Sequence, residues 1–180
     1  MPIISLAKVC RFACKGAGIV WPARFLFTPA YNSGPGFILL GKIQMSGRIS
    51  VLVVEDEEHI RKILEYNLKL DGFSVSLAED GRKGLEFARG KKPDVILLDW
   101  AMPEMNGLEV LSELKHDEKT EDIPVFMLTA KGIMGDVERA FEIGADDYIT
   151  KPFDPAQLGK TIKRKLKEHA KRNIQKITTG

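Results

Sequence analysis

From residue 49 onward, short apolar runs alternate with longer stretches whose apolar side chains recur every three or four positions, five times over. "ISVLVV" (49–54) predicts a first strand, and Ile60, Ile63, Leu64 and Leu68 predict one face of a helix from about Glu57 to Leu70. Gly72 suits the left-handed conformation that ends such a helix. "FSVSLA" (73–78) alternates as a half-buried strand does, Asp80 is placed to cap a helix ending near Gly90, and "DVILLD" (94–99) predicts a third strand. Leu108, Val110, Leu111 and Leu114 mark the third helix, and "PVFMLT" (124–129) the fourth strand. A helix near 133–143 is stopped by Gly144, "DYITK" (147–151) is the fifth strand, and Asp154 and Pro155 open the last helix.

Strands alternating with helices imply parallel strands joined by right-handed crossovers, with helices covering both faces of one sheet. The expected fold is therefore α/β, a flavodoxin-like doubly wound (βα)5 unit with a five-stranded parallel sheet in the order 2-1-3-4-5. In such folds the functional crevice lies beyond the carboxyl ends of the strands. Strand one is followed by Glu55 and Asp56, strand three ends on Asp99, strand four on Thr129 and strand five on Lys151, followed by Pro152.

With strands one and three adjacent, three carboxylates converge, and such crowding raises their pKa values unless a cation is present. Mg²⁺, a hard ion that takes oxygen ligands and keeps several waters, answers that need. Thr129 adds a hydroxyl and Lys151 a mobile positive charge, which suits them to hold the oxygens of a phosphoryl group on an aspartate.

Charge is divided unevenly. Residues 1–54 carry 6 basic and no acidic side chains, 55–154 carry 13 basic and 24 acidic, and 155–180 carry 8 basic and 1 acidic. An acidic body argues against direct DNA binding, which needs a basic surface. No uninterrupted apolar run of about 18 residues is present, so no membrane span is expected. Cys10 and Cys14 are too few for a disulfide framework or a complete zinc site, which fits a cytoplasmic protein. His59, His116 and His169 lie in charged helical segments and are expected on the surface.

The segments "VLVVEDEEHIR", "PDVILLDWAMPEMNGLEV", "IPVFMLTAK" and "GADDYITKPF" follow one another in an order that resembles the receiver domain of response regulators, the chemotaxis-regulator type, over nearly the whole of 49–168. The resemblance implies that Asp99 accepts a phosphoryl group from a sensor histidine kinase or a histidine phosphotransfer protein. It implies Mg²⁺ held by Asp56, Asp99 and the backbone carbonyl of Ala101, with Glu55 helping through water. Lys151, Thr129 and Ala130 would contact the phosphate, Tyr148 would turn inward, and the face of the fourth helix, fifth strand and fifth helix would change for a downstream protein target. The Lys151–Pro152 bond is usually cis in this family.

The match has departures. Glu55 stands where Asp is commonest, and its extra methylene moves the carboxylate about 1.5 Å further, tolerable for a ligand acting through water. Ala101 neither blocks nor positions an attacking water. Gln157 and Thr161 occupy positions where winged-helix DNA-binding regulators carry an acid and an arginine, so a monomer or weak dimer is expected in place of their homodimer. Pro103 is expected to fix a turn and Asn106–Gly107 to let the chain reverse into the third helix.

The expected organisation is an N-terminal extension (1–46), a receiver domain (47–168) and a basic C-terminal tail (169–180). The extension is acid-free like a transit peptide, but "MSGRISVLVVEDEEH" from Met45 is how a receiver ordinarily begins, so a misassigned start or disordered leader is the plainer reading. No output domain is expected after residue 180, and the tail presents a basic helix face. The expected protein is a stand-alone phosphorylation switch, or a relay that hands the group onward, and it catalyses only its own phosphorylation and dephosphorylation. A phosphohydrolase of the haloacid-dehalogenase type also phosphorylates an aspartate beside Mg²⁺, but it needs Asp-x-Asp after strand one, which "VVEDEE" lacks. A degenerate receiver used only to bind proteins is disfavoured by Asp56, Asp99, Thr129 and Lys151 occurring together.

Overall fold

The computed structural model describes residues 25–28, 42–45, 47–130 and 134–179. The chain divides into two units, Met1–Gly47 and Arg48–Gly180. In the first, Phe25–Thr28 and Lys42–Met45 pair as antiparallel strands. The remainder of the expected leader or misassigned start lies outside the described residues.

The second unit runs β1 (Ser50–Val54), α1 (Glu58–Leu70), β2 (Ser74–Ala78), α2 (Gly81–Lys91), β3 (Val95–Asp99), α3 (Gly107–His116), β4 (Val125–Ala130), α4 (Met134–Ile143), β5 (Asp147–Lys151) and α5 (Pro155–Thr179). Its five strands are all parallel, in the order β2-β1-β3-β4-β5, the doubly wound order expected from the alternation. β3 is buried along its whole length, as a central strand covered on both faces must be.

Side chains alternate across the sheet. Leu52, Val54, Ile96, Leu98, Val125 and Met127 join the core with Leu85, Val110, Leu111 and Leu114 of α2 and α3. On the other face α1 packs against α5, where Leu64, Leu68, Leu158, Ile162 and Leu166 are buried. Ile63, expected on the buried stripe of α1, is 44% exposed. At 3.6 residues per turn it stands about 100° from the middle of the Ile60–Leu64–Leu68 row and faces solvent.

Local signals explain the helix ends. Asp80 accepts a hydrogen bond from the Lys83 amide at 2.7 Å, and Asn106 and Glu109 form a reciprocal capping box on α3. Asp154 Oδ1 accepts from the Ala156 amide at 2.9 Å at the start of α5. α2 ends at Lys91, one residue past Gly90 and near the expected end, where Lys92 takes the left-handed conformation.

The expected tail from residue 169 is the continuation of α5, tied down by one carboxylate. Asp146, before β5, accepts from the Val125 amide at 2.9 Å, from Lys115 Nζ at 3.0 Å and pairs with His169 Nε2 at 2.9 Å. Arg172 donates to the Asp146 carbonyl at 3.1 Å. His169 is thus mostly enclosed and partnered, unlike the expected surface histidine. Burial pushes the Asp146 carboxyl up, but the His169 hydrogen bond and the Lys115 charge outweigh it and hold it below the ordinary 3.8. Its contribution to stability is therefore present above 3.8 and lost as pH falls through the lowered value. Asp146→Ala is expected to lower urea-unfolding stability at pH 7 by about 2–3 kcal/mol, the scale of hydrogen bonds to a charged group. A loss within about 0.5 kcal/mol, typical of an uninvolved surface site, would show that this carboxylate does not hold the element ends together.

Candidate functional site

The sheet register assembles the site. Val54 pairs with Leu98, so the next residues, Glu55 and Asp99, leave adjacent strands side by side. Ala130 pairs with Lys151 one strand further on. One carboxylate oxygen from each of Glu55, Asp56 and Asp99 lies within 4.8 Å of the others. Lys151 Nζ reaches between them, donating to Asp99 Oδ1 at 2.7 Å and Glu55 Oε2 at 2.8 Å.

These charges are enclosed. Glu55 is fully buried and Asp99 is 5% exposed. Burial pushes the Asp99 carboxyl above 3.8 against the hydrogen bond and charge of Lys151. Burial also raises the Glu55 carboxyl, with the Asp99 charge adding to it and Lys151 opposing. For Lys151 burial works against the ammonium, but the hydrogen bonds to Asp99 and Glu55 prevail and hold its pKa above 10.5. One lysine is shared between two carboxylates, and Glu55 Oε1 and Asp56 Oδ1 remain buried without a hydrogen-bond partner. Unpartnered buried carboxylate oxygens are costly, and an all-oxygen donor set of this kind fits a hard divalent cation.

The sign of this electrostatic load is testable. A carboxyl raised in the folded state favours folding most at low pH, and that advantage is lost as pH rises through the raised value. In EDTA, the stability difference between Asp99→Asn and the wild type is expected to shift in favour of the variant as pH rises from 3.8 toward neutrality. Parallel urea-unfolding curves of the two proteins over pH 4–8 check it, and a constant difference would exclude a raised Asp99.

The other sequence-expected residues lie around this cluster without all touching it. Thr129 is 1% exposed, and its hydroxyl donates to the Ala130 carbonyl at 3.3 Å. Ala101 and Ala130 are exposed at the rim. The Lys151–Pro152 peptide is cis. Tyr148 points outward, 40% exposed, edge-on to Phe141 with ring centres 6.1 Å apart. A narrow cleft lined by Trp100, Thr129, Val137, Phe141 and Tyr148 separates the threonine from the tyrosine.

The loop after β3 differs in detail from its sequence reading. Asn106 caps α3, and the left-handed residue is Glu104, at φ 63°. Gly107 serves close approach: a Cβ there would stand 2.3 Å from the Asp99 carbonyl oxygen. Its amide donates to the Trp100 carbonyl at 2.9 Å, folding the loop back on the strand that carries Asp99. Sequence reasoning also missed Arg61, whose guanidinium donates to the carbonyls of Glu55 and Asp56 at 2.6 and 2.5 Å. Its only sequence signal is a place in the first turn of α1, within reach of the preceding loop.

Residues 51–163 match the family described as response regulator receiver domain. The chain is 42% identical over 118 residues to the phosphate regulon transcriptional regulatory protein PhoB of Pseudomonas aeruginosa, covering 66% of this chain and 52% of that protein. It is 43% identical over 108 residues to the DNA-binding dual master transcriptional regulator RpaA of Synechocystis, covering 60% of this chain and 45% of that protein. Among solved structures it resembles the chemotaxis protein CheY4 of Vibrio cholerae, with TM-score 0.62 and 32% identity over 66% of this chain and 98% of that one.

The chain spans about half the length of these curated relatives. That corrects the expectation of no direct DNA binding and no output domain. An acidic surface on residues 55–154 excludes DNA contact only for that surface, and the relatives, one of them named as DNA-binding, have about as much chain again outside the match. Among the described residues no helix is long and apolar enough to cross a membrane. With the family matched over more than half of the chain and the sheet order the same, the chain belongs to the response regulator receiver family of two-component systems.

Proposed function

We propose that Asp99 is the phosphoryl acceptor of a phosphorylation-dependent response regulator. The observation that carries this is Lys151 shared between Asp99 and Glu55 while Glu55 Oε1 and Asp56 Oδ1 stay buried and unpartnered. An Asp99 carboxylate oxygen attacks the phosphorus of a phosphohistidine on a sensor kinase or phosphotransfer protein, the P–N bond breaks, and the imidazole leaves. Asp56, Asp99 and the Ala101 carbonyl would hold Mg²⁺, with Glu55 assisting through water, and the bound ion would supply charge neutralisation at the phosphoryl oxygens. Lys151 moves from a carboxylate pair onto a phosphoryl oxygen, an exchange that keeps its buried charge partnered.

Thr129 and the Ala130 amide take the remaining oxygens. As Thr129 turns toward Asp99, Tyr148 would leave its exposed place edge-on to Phe141 and turn inward across the narrow cleft that both residues line. That motion alters the face of α4, β5 and α5, which controls partner binding and, by likeness to the curated relatives, a transcriptional output. The protein works in the cytoplasm and does chemistry only on itself.

Incubation with acetyl phosphate and Mg²⁺, read by intact mass, tests the acceptor, and an adduct that is acid-stable and base-labile is expected. Backbone NMR shifts with beryllofluoride test the switch, and no adduct, or no shift change around residues 134–151, would overturn the corresponding half of the reading.

A further inference from the structure

The loop that carries Glu55 and Asp56 lacks the usual local fastening. The N-cap of α1 is Glu57, which makes no side-chain cap hydrogen bond, whereas α2 and α3 begin on capping Asp80 and Asn106. The bond from the Glu55 amide to the Ala78 carbonyl at 3.2 Å is the last the loop shares with the sheet before the helix starts. Two consecutive residues whose side chains must face the pocket therefore sit in a segment without a cap of its own.

Arg61 fills that gap. From the first turn of α1 its Nη1 reaches back to the carbonyls of both Glu55 and Asp56 at 2.6 and 2.5 Å. The side chain is only 12% exposed, and Nη2 lies 4.0 Å from Glu79 beyond the end of β2. A carbonyl held in place fixes its peptide plane, and two successive planes fix the direction in which the intervening Cβ leaves the chain. A guanidinium suits the task because it is always charged, rigid and a donor only, so it does not compete with the carboxylates for a cation.

Building on the receiver reading, we propose that Arg61 is a positioning residue for the acidic pocket: by clamping the Glu55 and Asp56 carbonyls it fixes the peptide planes on either side of Asp56 and, with the Glu55 amide held by Ala78, aims both carboxylates at the cation site. Arg61 is not among the residues proposed to hold the cation or the phosphoryl group. It acts on the backbone that presents the ligands, as outer-shell partners of metal ligands do.

The test is Mg²⁺ titration of the full chain, followed by the amide NMR shifts of Asp56, Asp99 and Trp100, in wild type, Arg61→Met, Arg61→Lys and Asp99→Asn. Arg61→Met keeps the apolar stem and removes the clamp, and its Mg²⁺ Kd is expected to rise about 10- to 100-fold, the usual effect of losing an outer-shell partner. Arg61→Lys, which restores a cationic donor but not the rigid planar fork, is expected to recover part of that loss. Far-UV circular dichroism on the same samples confirms that the folded state is being titrated, so lowered stability alone does not produce the shift. Wild-type affinity in Arg61→Met, or an Arg61→Lys variant no better than the methionine variant, would overturn the assignment alone. A wild type whose site amides do not respond to Mg²⁺, or respond equally in Asp99→Asn, would overturn the receiver chemistry and this assignment with it.

Discussion

Asp99→Asn is expected to abolish phosphorylation by acetyl phosphate and Mg²⁺, a fall of at least about a thousandfold, as expected when a covalent nucleophile is removed. The substitution replaces one carboxylate oxygen by an amide nitrogen at nearly constant volume, so packing at this buried position is preserved. Lys151 keeps its hydrogen bond to Glu55 at 2.8 Å, and the asparagine oxygen can still accept from it. The variant therefore folds, and loss of the adduct reports chemistry. Intact mass before and after incubation decides the matter, since an adduct of wild-type yield on the variant would move the acceptor to another side chain. Asp56 would be the first alternative, because it lies in the same cluster.

Gly107→Ala is expected to cost about 3 kcal/mol, the upper end of what overpacking usually costs. The added Cβ meets the Asp99 carbonyl oxygen at 2.3 Å and the Trp100 Cα at 3.0 Å. Both obstacles are backbone, so no side-chain rotation relieves them; the loop or α3 must shift. The displaced stretch includes Ala101, whose carbonyl is proposed to hold the cation, so adduct formation with acetyl phosphate is expected to slow as well. Gly90→Ala is the control. A Cβ there meets nothing within 4 Å, and alanine in a helix is favoured over glycine by up to about 1 kcal/mol. Urea unfolding of both variants checks the contrast, and similar stabilities would show that the loop yields easily.

The five strands were legible because β1, β3 and β4 are short apolar runs and β2 and β5 alternate apolar with polar residues, all between turn signals, and the order followed from the connectivity rules for parallel sheets. Asp99, Glu55, Asp56, Thr129 and Lys151 were legible for the same reason: a polar residue at the carboxyl end of a buried strand has only the sheet edge to occupy. Ile63 and His169 were misplaced. Helical spacing alone does not set how wide a buried stripe is, and a histidine in a charged helix is partnered only if another segment brings it an acid. Asp146 does so for His169 from before β5.

Arg61 and Gly107 mark the limit more sharply. Both act through backbone carbonyls, of Glu55, Asp56 and Asp99, and every residue type carries that atom. The sequence marks Gly107 only as a turn residue beside Asn106, and its pattern does not show which carbonyl either residue approaches. The charge of the folded body likewise described that body alone and said nothing about what the relatives attach to theirs.

By itself, then, the amino-acid sequence determined the parallel α/β fold, the family, and the set of polar residues delivered to one sheet edge, because hydrophobic period and chain connectivity are local quantities. Only the tertiary structure decided how those residues share their charges: one lysine between two buried carboxylates, two oxygens left unpartnered, and a guanidinium and a glycine holding the backbone around them. Those arrangements depend on distances of a few ångströms between segments far apart in the chain, which spacing along a sequence does not encode.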